Sequence, residues 1–86
     1  MHEMSLALEV CRITEEQVGR SMLPRVVEVG VRVGDDAGVE PDSLEFCLQA
    51  LLSHPPFGQA RAVLEHCTGD DLRLSYLEIE DDDSED

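Results

Sequence analysis

The chain has 86 residues, 42% apolar and 30% charged, with acids outnumbering bases 20 to 6 and a formal net charge of −14 at pH 7. Its length allows one small core that buries only roughly 60 to 65% of the surface the unfolded chain exposes, and with two Phe, one Tyr and no Trp that core is aliphatic. Such a charge argues against an electropositive groove for a phosphate backbone, and so against nucleic acid as a partner.

From Met4 to Val18, the apolar residues Met4, Ala7, Leu8, Cys11 and Val18 share one stripe of a 3.6-residue period, widened by Leu6, Val10 and Ile13. This predicts a helix over residues 4–19 that exposes Glu9, Arg12, Glu15 and Glu16 and fails between Gly19 and Pro24. In Arg25–Val33, Val27, Val29, Val31 and Val33 alternate with Glu28, Gly30 and Arg32, the period of a strand with one apolar face. Gly34 to Gly38 reads as a turn. Glu40-Pro41-Asp42-Ser43 opens a second helix, with Pro41 where a missing N–H costs nothing. Leu44, Cys47, Leu48 and Leu51 form its stripe, Phe46 and Ala50 lie to the side, and His54-Pro55-Pro56 ends it.

Two more strands are expected at Ala60–His66 and Leu72–Glu80. In the second, the apolar phase runs Leu72, Leu74, Tyr76 and then slips to Leu77, Ile79, which points to a bulge. The polar turn Thr68-Gly69-Asp70-Asp71 between them suggests a hairpin. The order α-β-α-β-β predicts an α/β chain of the α+β two-layer sandwich type, a three-stranded sheet with two helices on its valine face. Residues 1–80 make the domain. Residues 81–86 belong to an acidic run, Glu78 to Asp86, with seven acids in nine residues, and are expected to be disordered.

No apolar run approaches the ~18 residues of a membrane span, and the basic and apolar regions of a secretory signal are missing. With three widely spaced cysteines, Cys11, Cys47 and Cys67, the expectation is a cytoplasmic protein with reduced thiols and no membrane partner. Phosphate-loop, dinucleotide and nucleophile-elbow motifs are all missing, so no catalytic residue is assigned and an enzyme is not expected.

Met1-His2-Glu3 is the one constellation with a chemistry of its own. An initiator Met is ordinarily kept before a bulky residue such as His, which would leave a free α-amine beside an imidazole. Both groups lose a proton near neutrality. With the backbone amides of His2 and Glu3 they would supply a tetragonal nitrogen set suited to Cu(II) or Ni(II). On these residues alone, an exposed side chain on a frayed terminus is the competing reading.

The opening Met1-His2-Glu3-Met4-Ser5-Leu6-Ala7 resembles the N-terminal signature of the HypA/HybF nickel metallochaperones of [NiFe]-hydrogenase maturation. Val31-Arg32-Val33-Gly34 followed by Gly38-Val39-Glu40-Pro41-Asp42-Ser43-Leu44-Glu45-Phe46 is similar to their second signature. Gly69 to Leu74 with Leu77 to Glu80 looks like their last strand. The resemblance implies a nickel-binding domain of this same fold that carries Ni(II) on Met1 (amine), His2 (ring and amide) and Glu3 (amide, with its carboxylate nearby). It also implies a HypB-type GTPase and a hydrogenase large-subunit precursor as partners, with the chain a monomer or weak homodimer.

The family also carries a zinc domain with two CxxC pairs between the last two strands. Here Glu65-His66-Cys67 runs straight into Thr68-Gly69, and His66 with Cys67 offers at most two of the four ligands a structural zinc needs, so zinc is not expected. A relative that lost metal function with its zinc lobe and kept only a docking surface is the alternative function.

Overall fold

A computed structural model of the chain describes residues 2–80; Met1 and the expected acidic tail, 81–86, lie outside the described residues. The elements run α1 (Glu3–Val18), a 3-10 helix (Arg20–Arg25), β1 (Val26–Gly34), α2 (Pro41–Leu52), β2 (Arg61–Cys67) and β3 (Leu72–Ile79). This is the expected order, with one addition. The stretch between Gly19 and Pro24 is a 3-10 turn that buries Leu23 rather than a plain loop. Gly19, at φ 86°, supplies the left-handed step that ends α1.

Both helices lie on one face of a mixed three-stranded sheet. Ala7 and Val10 of α1, Val29, Val31 and Val33 of β1, Leu44, Leu48 and Leu52 of α2, and Ala62 of β2 form one buried cluster. The working stripe of α1 is rotated from the expected one. Ala7, Val10 and Thr14 are its buried residues, whereas Met4 and Leu8 are 44% and 53% exposed. Thr14 tolerates full burial because its hydroxyl donates to the Val10 carbonyl at 2.8 Å. The valine face shifts as well: Val26 is buried and Val27 is not, since the β1–β3 register slips between Val26 and Glu28. A second slip, between Gly30 and Val31, leaves Ser75 as the extra residue of β3. The bulge therefore falls where the apolar phase of Leu72–Ile79 changes.

The expected hairpin does not form. Strand order is β2-β1-β3, with β1 parallel to β2 and antiparallel to β3. β1, α2 and β2 make a parallel crossover unit, which fixes β2 beside β1. β3 then crosses the end of β1 to its far side, where it supports α1 as β2 supports α2. The crossing loop is tied down by the N–H groups of Gly34, Asp35 and Asp36, which donate to the carbonyls of Asp71, Cys67 and Gly69 at 2.7–2.8 Å. Only glycine fits at position 34, because a Cβ there would lie 2.3 Å from the Gly69 carbonyl oxygen. The last two strands are thus joined by a crossover, not a hairpin.

The opposite face of the sheet is polar. Tyr76 lies over Gly30, where a side chain would collide with its ring, and its hydroxyl donates to Glu28. Glu28 also pairs with Arg61 at 2.8 Å, and the Ser75 hydroxyl donates to Glu65 at 2.8 Å.

Candidate metal centre

Among the described residues, no group of three His, Cys, Asp or Glu side chains is placed to hold a metal ion. The start of α1, by contrast, offers backbone nitrogens beside an imidazole.

His2 is the residue before the first helical turn, with extended backbone (φ −87°, ψ 123°), and it is exposed. Its ring makes no capping hydrogen bond. Its carbonyl accepts the first intrahelical bond, from the Leu6 N–H at 3.1 Å. The amides of His2 and Glu3 therefore precede the first N–H used by the helix and belong to the donors a helix start leaves without an intrahelical acceptor. An exposed imidazole thus stands beside two backbone nitrogens that lie ahead of the helix ladder, the Glu3 N–H turned toward its own carboxylate.

Glu3 is the first helical residue, and its carboxylate has a partner of its own. Oε2 accepts the backbone N–H of Glu40 at 3.0 Å. Glu40 precedes Pro41 at the start of α2 and makes no side-chain cap itself, so Glu3 reaches across 37 positions of sequence to satisfy that end of the helix pair. The Glu40 N–H, with the N–H of Glu3 itself, holds the Glu3 carboxyl below its ordinary value. The side chain is a tie between two helix starts. Sequence reasoning placed the carboxylate near the site but did not find Glu40.

The other thiols and imidazoles are scattered. Cys11 is half-buried on α1, and burial pushes its thiol up to about 11, so it is protonated at neutral pH and poor as a ligand. Cys47 is half-buried on α2 and packs against the core. His54 Nδ1 lies 2.8 Å from the Ala50 carbonyl at the end of α2. His66 and Cys67 end β2 opposite Val33 and Gly34, where the Cys67 carbonyl anchors the crossover and its side chain lies by Arg32. Among the described residues, no helix is long and apolar enough to cross a membrane.

The fold is a two-layer α+β domain whose first helix starts beside an exposed imidazole. The sequence model of the family described as "Hydrogenase/urease nickel incorporation, metallochaperone, hypA" matches residues 1–79, and this chain belongs to that HypA family. It is 39% identical over 69 residues to the hydrogenase maturation factor HypA of Geobacter metallireducens, covering 80% of this chain and 60% of the relative. The HypA of Chlorobaculum parvum is 36% identical over 78% of this chain and 59% of its own length, and that of Geotalea uraniireducens 37% identical over 76% and 56%. The chain thus spans about 60% of the length of these relatives.

Proposed function

We propose that this chain is a nickel carrier that binds one Ni(II) at its N-terminus and delivers it during [NiFe]-hydrogenase maturation. The metal is cargo, held by the amine of Met1, the amide and imidazole of His2 and the amide of Glu3. The observation that supports this reading is the state of His2 at the start of α1, an exposed ring that makes no capping hydrogen bond, beside the amides of His2 and Glu3 that lie ahead of the helix ladder. A HypB-type GTPase and the hydrogenase large-subunit precursor are the partners proposed for loading and release. The family description names urease as well, so other nickel enzymes fit the same role.

The chemistry of release follows from the donor set. Imidazole and amine bind metal only when deprotonated, and amide nitrogens bind only after losing their protons, so protons compete with Ni(II) at every position. A site at the exposed start of a helix, with no enclosing side-chain cage among the described residues, exchanges its ion readily with a partner. Glu3 keeps that start in place by its bond to Glu40.

A docking module without metal function is the second reading, favoured by Phe46, which is 76% exposed on α2. Complementation separates the two. In a nickel-replete host lacking its own copy of this protein, a carrier with His2→Ala fails to restore hydrogenase activity. A docking module with the same change restores it fully, which would overturn the carrier reading.

A further inference from the structure

The two edges of the sheet are treated differently. At the start of β2 the outer edge is capped by Gln49 of α2, whose side chain donates to the Ala60 carbonyl at 2.9 Å and accepts the Ala62 N–H at 3.0 Å. Such cover blocks strand addition at that end of β2. β3 pairs with β1 on one side only, and among the described residues no strand lies on its other side.

Along that side runs a groove of about 510 Å³ between Ile13 and Gln17 of α1 and all six residues of Leu72–Leu77. A groove touching one face of a strand would meet every second residue. Contact with six consecutive residues means that the backbone edge itself forms the wall. A smaller apolar cavity shares Ile13, Leu72 and Leu74 and reaches Val10 and Leu44, a seat for one aliphatic side chain.

Charge decides what can lie there. Asp70 and Asp71 stand just before the strand, and Glu78 and Glu80 lie at its end. The groove wall between them carries Arg73 as its one charged residue, 4.0 Å from Asp71. A second copy of the chain is a poor occupant. Pairing β3 with β3 brings acid against acid at the ends in either direction, between molecules of charge −14.

We infer that the β3 edge is a strand-addition site for an extended segment of a partner protein, with alternating apolar side chains in its middle and Lys or Arg at both ends. Main-chain hydrogen bonds to the free edge supply affinity, the Val10–Leu44 cavity takes one apolar side chain, and the flanking acids fix the register. The inference does not depend on nickel binding.

The test uses the full metal-free chain and a fluorescein-labelled peptide of about ten residues, alternating Val and Thr between pairs of Arg. Fluorescence anisotropy is expected to show binding that weakens as salt is raised, with backbone amide shifts in NMR concentrated at residues 72–77. Three changes are each expected to weaken it about tenfold or more: Glu in place of the flanking Arg, Pro in the centre of the peptide, and Ile13→Arg in the protein, with circular dichroism confirming that this variant is folded. No binding, equal binding of the Glu-flanked or Pro-interrupted peptide, indifference to Ile13→Arg, or a groove closed by self-association in sedimentation equilibrium would each overturn the proposal.

Discussion

Tyr76 is the single tyrosine, so its ionisation can be followed without interference. Its hydroxyl donates to the Glu28 carboxylate, and this bond, aided by loss of solvent, pushes its pKa up to about 12 from 10. The same bond, joined by Arg61, holds Glu28 below the usual carboxylate range. A raised acid stabilises the fold below its unfolded value, so the tyrosine contribution is complete below pH 10 and is lost as pH climbs toward 12. A depressed acid does the reverse, so the glutamate contribution is complete above 4.5 and disappears as pH falls through its lower folded value. Absorbance titration of Glu28→Gln should return the tyrosine midpoint toward 10, whereas an unchanged midpoint would place the shift elsewhere. For Glu3, Glu3→Ala removes the bond to Glu40, and Glu3→Gln keeps an acceptor. Chemical denaturation should show Glu3→Ala less stable than Glu3→Gln at pH 7, with the gap from the parent chain narrowing as the carboxylate is protonated.

At the scale of elements, Leu48 faces the sheet from the middle of α2 and is fully buried. Leu48→Ala should cost about 2–5 kcal/mol in denaturant unfolding, by lost burial and the cavity left behind. Gly34→Ala should cost about 1–3 kcal/mol, because its Cβ meets backbone that has no room to yield, and should raise hydrogen exchange through β3. Gly34 also shows where the sequence was legible and where it was not. Hydrophobic period found all three strands and both helices within a residue or two, and the phase slip in Leu72–Ile79 located the bulge. Pairing was not readable in the same way. Thr68–Asp71 is turn-like in composition, but composition does not say whether a turn joins neighbours or steps over a strand. The hydrogen bonds that decide it come from Gly34 to Asp36, more than thirty residues away. The strand–helix–strand order of β1, α2 and β2 was the usable sign of a parallel pair. The rotation of α1 was hidden because Thr14, polar by type, is buried, while Met4 and Leu8 are left outside. At the candidate site, the sequence offered the adjacency of Met1-His2-Glu3. The contact of Glu3 with Glu40 joins segments that only the packing of α1 on α2 brings together.

For the whole molecule, a charge of −14 on 86 residues opposes compaction. Raising salt toward about 0.5 M shortens the screening length below ~5 Å and should raise the thermal midpoint, most steeply at low ionic strength; a midpoint falling with salt would show that attractive pairs outweigh the repulsion. A small acidic domain also draws cations loosely everywhere, so binding at the terminus has to be separated from that background. The most direct measurement is calorimetry of Ni(II) into the untagged chain starting at Met1, at neutral pH and moderate salt, beside His2→Ala and a variant with one residue added before Met1. One equivalent of Ni(II) bound by the parent and lost in both variants is the predicted result. Binding that persists in both, or none in the parent, would contradict a site made from the terminal amine, the His2 ring and the first two amides of α1.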